Sequence, residues 1–173
     1  FDLLEEVRSL TDKPLLAKEF ILSEKQIDYA VKAGANAVLL ISAILVPKTL
    51  PQLAGYAIGL GLGVLVEIHT EDELEQVVAM FSNLTEEEQQ YVLIGINNRD
   101  LHTFKTNIAV TEALAPLIKK RLPTLRGIVA ESGIATRADI ERLQSCVQGF
   151  LIGTSILHSN DPASYLASLF PSS

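Results

Sequence analysis

The chain holds 173 residues, 48% of them hydrophobic and 20% charged, with a formal net charge of −7. That acidic balance argues against nucleic acid or an anionic membrane surface as the main partner. Cys146 stands alone, which excludes an internal disulfide, and neither a basic-then-apolar leader nor a membrane-length apolar run is present.

Leu3, Leu4, Val7 and Leu10 predict a helix ahead of the first strand. Short apolar runs then predict strands at 14–20, 37–41, 63–68, 91–97, 127–131 and 149–153, with amphipathic stretches between them. Ser23 with Gln26, Thr70 with Glu73, and Thr136 with Asp139 have the spacing of capping boxes. Ile27, Ala30 and Val31 form an apolar stripe that Gly34 ends, and 165–170 predicts a last helix. Residues 80–90 read as an insertion after a strand–helix unit, with its own Thr85/Glu88 cap. They predict an exposed helical extension at the amino end of the strands, away from any site. The chain opens on Phe1 rather than Met, which reads as a processed, trimmed or partial chain.

Strand centres recur roughly every 20 to 35 residues, close to the length of a βα unit. No linker interrupts them, so the reading is one α/β domain with a parallel sheet and right-handed crossovers. Gly59-Leu-Gly-Leu-Gly63 precedes a strand instead of following one, so it is not placed to cradle a dinucleotide pyrophosphate. A (β/α)8 barrel, here partial, is therefore favoured over an open doubly wound sheet.

The organising stretch is Val92–Leu101, an apolar strand that turns abruptly into Asn97, Asn98, Arg99 and Asp100. Polar groups loaded onto strand ends are how parallel α/β proteins present a site. Lys18, set late in an apolar run, is able to act as acid, base or amine nucleophile if desolvated. Its plain structural role would be an ion pair with Glu67. Glu67 is a candidate base or electrostatic stabiliser. Asn97 suits hydrogen bonds to substrate oxygens, and Arg99 suits a carboxylate or the strand-end glutamates. Glu131-Ser132-Gly133 and Gly153-Thr154 close the last two strands, where barrels build a phosphate site from backbone N–H groups and a helix start. His69 reads as a turn residue before the Thr70 cap. His102 and His158 lack companions at metal-ligand spacing, so no metal is assigned, and Cys146 reads as packing.

At this point the chain resembles the indole-3-glycerol phosphate synthase family. The matching motifs are Pro14-Leu-Leu-Ala-Lys-Glu-Phe20, Gly34-Ala-Asn-Ala-Val-Leu-Leu-Ile41, Val64-Leu-Val-Glu-Ile-His69, Ile94-Gly-Ile-Asn-Asn-Arg-Asp-Leu101, Ala130-Glu-Ser-Gly-Ile134 and Phe150-Leu-Ile-Gly-Thr154. They run in family order across nearly the whole chain. The resemblance implies a lyase of tryptophan biosynthesis that closes an indole ring with loss of carbon dioxide and water, acting on a phosphorylated small molecule without metal or organic cofactor. It implies Lys18 as general acid, Glu67 as stabiliser of developing positive charge and Asn97 as an orienting group. Glu131 and Ser132 would line the pocket, Gly133, Gly153 and Thr154 would hold phosphate, and Phe20 and Leu39 would be apolar walls.

The family also carries two earlier βα units, with a Glu-x-Lys-x-x-Ser-Pro-Ser motif on the first strand, and neither is found in these 173 residues. The chain therefore resembles the third to eighth βα units, and six strands do not close an eight-stranded barrel. Two readings follow. One is a piece of an active synthase, weak or inactive alone and completed by an N-terminal segment. The other is a non-catalytic remnant that binds a partner, or itself, along open sheet edges. The intact strand-end charges favour the first. A sister phosphate-binding barrel of tryptophan or histidine biosynthesis fits the combination of Lys18, Glu67 and Asn97 poorly. The expected location is the cytoplasm, or a plastid in a eukaryote.

Overall fold

The computed structural model describes residues 1–100 and 103–171, so Leu101 and His102 lie outside the described residues. In chain order the elements are α1 (Asp2–Leu10), β1 (Leu16–Ala17), α2 (Glu24–Lys32), β2 (Ala37–Ile41), a 3-10 turn (Ser42–Ile44), α3 (Thr49–Gly59) and β3 (Gly63–Ile68). They continue with α4 (Glu71–Phe81), α5 (Glu86–Gln89), β4 (Val92–Asn97), α6 (Ala109–Arg121), β5 (Ile128–Glu131), α7 (Arg137–Leu143), β6 (Gly149–Leu151), α8 (Thr154–Leu157) and α9 (Pro162–Leu169). The alternation of strand and helix is the one that the apolar periodicity predicts. Two compact units divide the chain, and β4 runs through both.

The first unit comprises Phe1–Ile94 with Thr124–Arg126. Its strands lie in the order β1-β2-β3-β4. Parallel register pairs Leu16 with Ala37, and then Ala37 with Gly63 through to Ile41 with Glu67. The last four residues of β2 and the last five of β3 are all buried, as befits parallel strands covered on both faces. Helix α3 buries Leu50, Leu53, Ala54, Ala57 and Ile58, an i, i+3, i+4, i+7, i+8 stripe that makes one helical face apolar. Each fully buried leucine or isoleucine here contributes about 1.5–3 kcal/mol from water exclusion.

The predicted strand at 14–20 is cut to Leu16–Ala17, which pairs with β2. Lys18 therefore follows the strand instead of lying within it. Helix α4 runs on through Met80 and Phe81, both buried, so the extension starts after them. Its helix α5 buries no residue and leads straight into β4 at that strand's amino end. Thr85 caps α5 through a full box with Glu88, and Thr70 accepts from the Glu73 amide. Ser23 makes no such cap. Instead the Gln26 carboxamide turns back and accepts from the Leu22 amide at 2.8 Å.

The second unit comprises Gly95–Pro123 and 127–171, with strand order β4-β5-β6. Val129, Ala130 and Glu131 pair in parallel with Gly149, Phe150 and Leu151. Thr111, Leu114, Ala115 and Ile118 form the buried stripe of α6, and Ile140 and Leu143 that of α7. Thr136 and Asp139 make the full capping box at the start of α7. The Asp139 carboxylate also accepts from the Ala135 amide at 3.1 Å, which fixes the chain on its way out of the β5 loop.

Candidate active site

In the first unit the site is built on the end of β3. Glu67 is its penultimate residue and is 2% exposed. Lys18, placed just after β1, brings its ammonium to 3.9 Å from Glu67 Oε2. Its side chain is 46% exposed, so Lys18 is a half-solvated ammonium and not a fully desolvated one. Leu39 is buried in β2 at the register position beside Leu65, while Phe20 is 67% exposed.

His69 is the residue that the sequence pattern undervalues here. Its Nε2 lies 3.4 Å from Glu67 Oε1 and its Nδ1 lies 3.2 Å from Glu73 Oε2. Its backbone N–H donates to the same Glu73 oxygen at 2.8 Å. Glu73 thus serves the residue before the Thr70 cap instead of the cap residue itself. The signal was present in the spacing, since carboxylates at i−2 and i+4 flank this histidine.

In the second unit the ends of β4 and β5 are tied together. Asn97 accepts the Arg99 amide through its Oδ1 at 3.0 Å, forming a side-chain turn that ends β4. The Arg99 guanidinium donates to the Phe104 carbonyl at 3.2 Å, so it braces its own loop. Asn98, which the sequence did not distinguish from its neighbours, is 1% exposed and acts as the hub. Its Oδ1 accepts from the Thr111 amide at 3.1 Å and the Thr111 hydroxyl at 2.8 Å. Its Nδ2 donates to the Ser132 carbonyl at 3.1 Å, and its own amide donates to the Glu131 carbonyl at 2.9 Å. Thr111 is the third residue of α6; its amide is capped by Asn98 from beyond the end of β4, while the Ala109 amide of the same turn donates to Asn107 Oδ1 at 3.1 Å.

This brace holds the turn after β5 in an unusual shape. Ser132 has φ of 63° and Gly133 φ of 73°, two successive left-handed residues. For Ser132 this conformation is costly and persists because the surroundings impose it. For Gly133 a side chain would also meet Thr106 Cβ at 3.0 Å. Glu131, which ends β5, is buried. The hydroxyl of Ser155 in α8 donates to the Ile134 carbonyl at 2.8 Å, so the loop after β5 and the start of α8 are joined. Gly153 and Thr154, at that start, are exposed, and a Cβ on Gly153 would meet open space. Ser132, Gly133, Gly153 and Thr154 are thus brought to one region of this unit. Among the described residues, no group of three or more histidine, cysteine or acidic side chains has an arrangement that holds a metal ion.

A parallel chain of βα units, with acidic, amide and basic side chains at successive strand ends, has the layout of the (β/α)8 barrels. Solved structures agree at the level of fold. The structure titled "Structural study of Project ID from Aquifex aeolicus VF5" has a TM-score of 0.69 at 13% identity, over 97% of this chain and 65% of that one. The KGPDC of Streptococcus mutans has a TM-score of 0.66 at 15% identity, over 97% of this chain and 76% of that one. The fold is accordingly α/β, a partial (β/α)8 barrel.

The family is more particular. The model of the indole-3-glycerol phosphate synthase family matches residues 1–169. The indole-3-glycerol phosphate synthase of Geobacillus kaustophilus is 40% identical over 159 residues, covering 91% of this chain and 57% of the relative. That of Burkholderia vietnamiensis is 38% identical over 168 residues, covering 96% of this chain and 59% of the relative. The chain belongs to the indole-3-glycerol phosphate synthase family. It spans a little under three fifths of the length of these relatives.

Proposed function

We propose that the chain carries most of the active site of an indole-3-glycerol phosphate synthase, the carboxy-lyase of tryptophan biosynthesis, working in the cytoplasm. The substrate is 1-(2-carboxyphenylamino)-1-deoxyribulose 5-phosphate. Lys18 gives a proton to the ketone oxygen as the ring carbon attacks the ketone carbon. Carbon dioxide then leaves the ring carbon, whose aromaticity is restored. The new hydroxyl takes a proton and leaves as water, and the carbon beside the nitrogen gives up a proton to solvent as the second double bond of the new ring forms. Glu67 stabilises the positive charge that develops beside the ring. Asn97 orients the substrate, Arg99 braces the loop behind it, Glu131 and Ser132 line the pocket, and Phe20 and Leu39 supply apolar walls. Gly133, Gly153 and Thr154 hold the phosphate, whose binding energy positions the reacting carbons. No metal or cofactor enters this scheme.

The observation that carries the reading is the Lys18–Glu67 pair, set at the strand ends in a chain whose family assignment is shown. The test is a synthase assay that follows indole fluorescence, on this chain alone and with a segment carrying the family's Glu-x-Lys-x-x-Ser-Pro-Ser strand supplied in trans. Little turnover alone, recovery on complementation and loss in Lys18→Ala are expected. Soluble, folded protein that stays inactive in both settings would count against a catalytic role.

One observation favours a second reading, a remnant that acts by binding. A cavity of about 300 Å³ lies between α1 and the stretch around β1; Leu3, Leu4, Val7 and Leu15 line its apolar part, and Lys18 and Glu19 line the rest. A concentration-dependent mass for this chain in solution, with no activity on complementation, would support it.

A further inference from the structure

His69 follows β3 directly, yet its ring is 10% exposed and faces a carboxylate from each nitrogen. A carboxylate oxygen only accepts, so the 3.2 Å contact with Glu73 Oε2 places a hydrogen on Nδ1. Nε2 is then the atom left for Glu67. At 3.4 Å the Nε2···Oε1 approach is longer than a formed hydrogen bond. A movement of a few tenths of an ångström closes it, as unliganded catalytic contacts often do. Glu73 itself is fixed, because the same oxygen accepts the His69 backbone N–H at 2.8 Å. The histidine is therefore anchored on its far side and free to act on its near side.

The consequence falls on the two oxygens of Glu67. Oε1 is turned to His69, and Oε2 lies 3.9 Å from the Lys18 ammonium. An imidazole on one oxygen stops the carboxylate from turning both toward Lys18. We propose that His69 is a positioning residue that sets the orientation of the Glu67 carboxylate, with Glu73 as its anchor. The proposal rests on the reading of Glu67 as a group that acts on the substrate.

Two substitutions separate this role from mere helix capping. The amide of glutamine reaches where Nε2 lies, toward Glu67, and that of asparagine reaches where Nδ1 lies, toward Glu73. In the complemented enzyme, His69→Asn is expected to lower kcat by about tenfold to a hundredfold with KM nearly unchanged, the scale of a catalytic group held about an ångström out of place. His69→Gln is expected to restore most of that loss. If His69→Asn turns over like the wild type, or if both variants raise KM alone, the histidine only ties Glu73 of α4 to the end of β3 and the proposal is overturned.

A second measurement does not depend on turnover. Long-range proton–nitrogen NMR of the imidazole in this chain reads each nitrogen separately. Glu67→Gln is expected to move the Nε2 resonance and Glu73→Gln the Nδ1 resonance. An Nε2 resonance that ignores Glu67→Gln overturns the contact itself. A wild-type enzyme that makes no product, with the Nε2 response intact, would defeat the synthase reading while leaving the His69–Glu67 contact standing.

Discussion

Replacing Asn98 with alanine removes three side-chain hydrogen bonds from a position that is 1% exposed. The Thr111 amide loses the acceptor that caps the first turn of α6, and the Ser132 carbonyl loses the Asn98 donor. The Thr111 hydroxyl can rotate, so its share is smaller. At about 1 kcal/mol per bond, and about 1–3 kcal/mol for each buried group left unsatisfied, Asn98→Ala should cost about 3–5 kcal/mol. That is a large part of the stability of an ordinary domain, about 5–15 kcal/mol. The assay is urea unfolding followed by far-ultraviolet circular dichroism, suited to a chain without tryptophan, with the midpoint moving at an unchanged slope. Asn98→Asp should not rescue it, because the second carboxylate oxygen would face the Ser132 carbonyl, acceptor against acceptor. A loss below about 1 kcal/mol for Asn98→Ala would refute the idea that this amide carries the brace.

Gly34 ends α2 at φ of 82°, with its amide on Val31 and the Ala35 amide on Ala30, the paired bonds of a Schellman cap. Gly34→Ala should cost about 1–2 kcal/mol for the left-handed alanine. A further loss comes from the clash with Arg8 Cγ, 2.5 Å from the new Cβ, and Arg8→Ala in the same chain should recover that part in a double-mutant cycle. Asp139 is pushed up by burial, but the Ala135 amide, the Thr136 hydroxyl and the Thr136 amide outweigh this and hold its carboxyl below the ordinary 3.8. A depressed folded value means that its stabilisation is complete above the unfolded value and drains away as pH falls through the folded one. The stability gap between wild type and Asp139→Asn should therefore be flat near neutrality and shrink below about pH 4, and a gap that widens there would contradict the capping role.

What the sequence disclosed best is what depends on neighbours along the chain. Thr85 with Glu88 and Thr136 with Asp139 form their boxes as the spacing predicts, because each needs one helical turn and nothing else. Ser23 met the same spacing and failed, since the competing partner of Gln26 is the Leu22 amide just before it. Strand 14–20 was overlong for a different reason. Apolar character says that a segment is covered, but ladder length depends on the facing strand, and β2 pairs with two of its residues.

The site divides along the same line. Lys18, Glu67 and Glu131 stand out in the sequence because a charge at the end of an apolar run is costly unless it is used or paired. Asn97 and Asn98 could not be told apart, because strand alternation stops where the strand stops. One became the turn that ends β4, and the other the buried hub on which the left-handed Ser132 depends. His69 was hidden by a similar boundary, since a residue between a strand and a helix cap looks like a connector. Its ring earns a further role only because Glu67 and Glu73, at i−2 and i+4, close on it from a strand and a helix. Where two elements meet end to end, side chains from both reach one point, and no single periodicity describes it. Such junctions, rather than the strands themselves, are where substitutions should separate a folded chain from a working one.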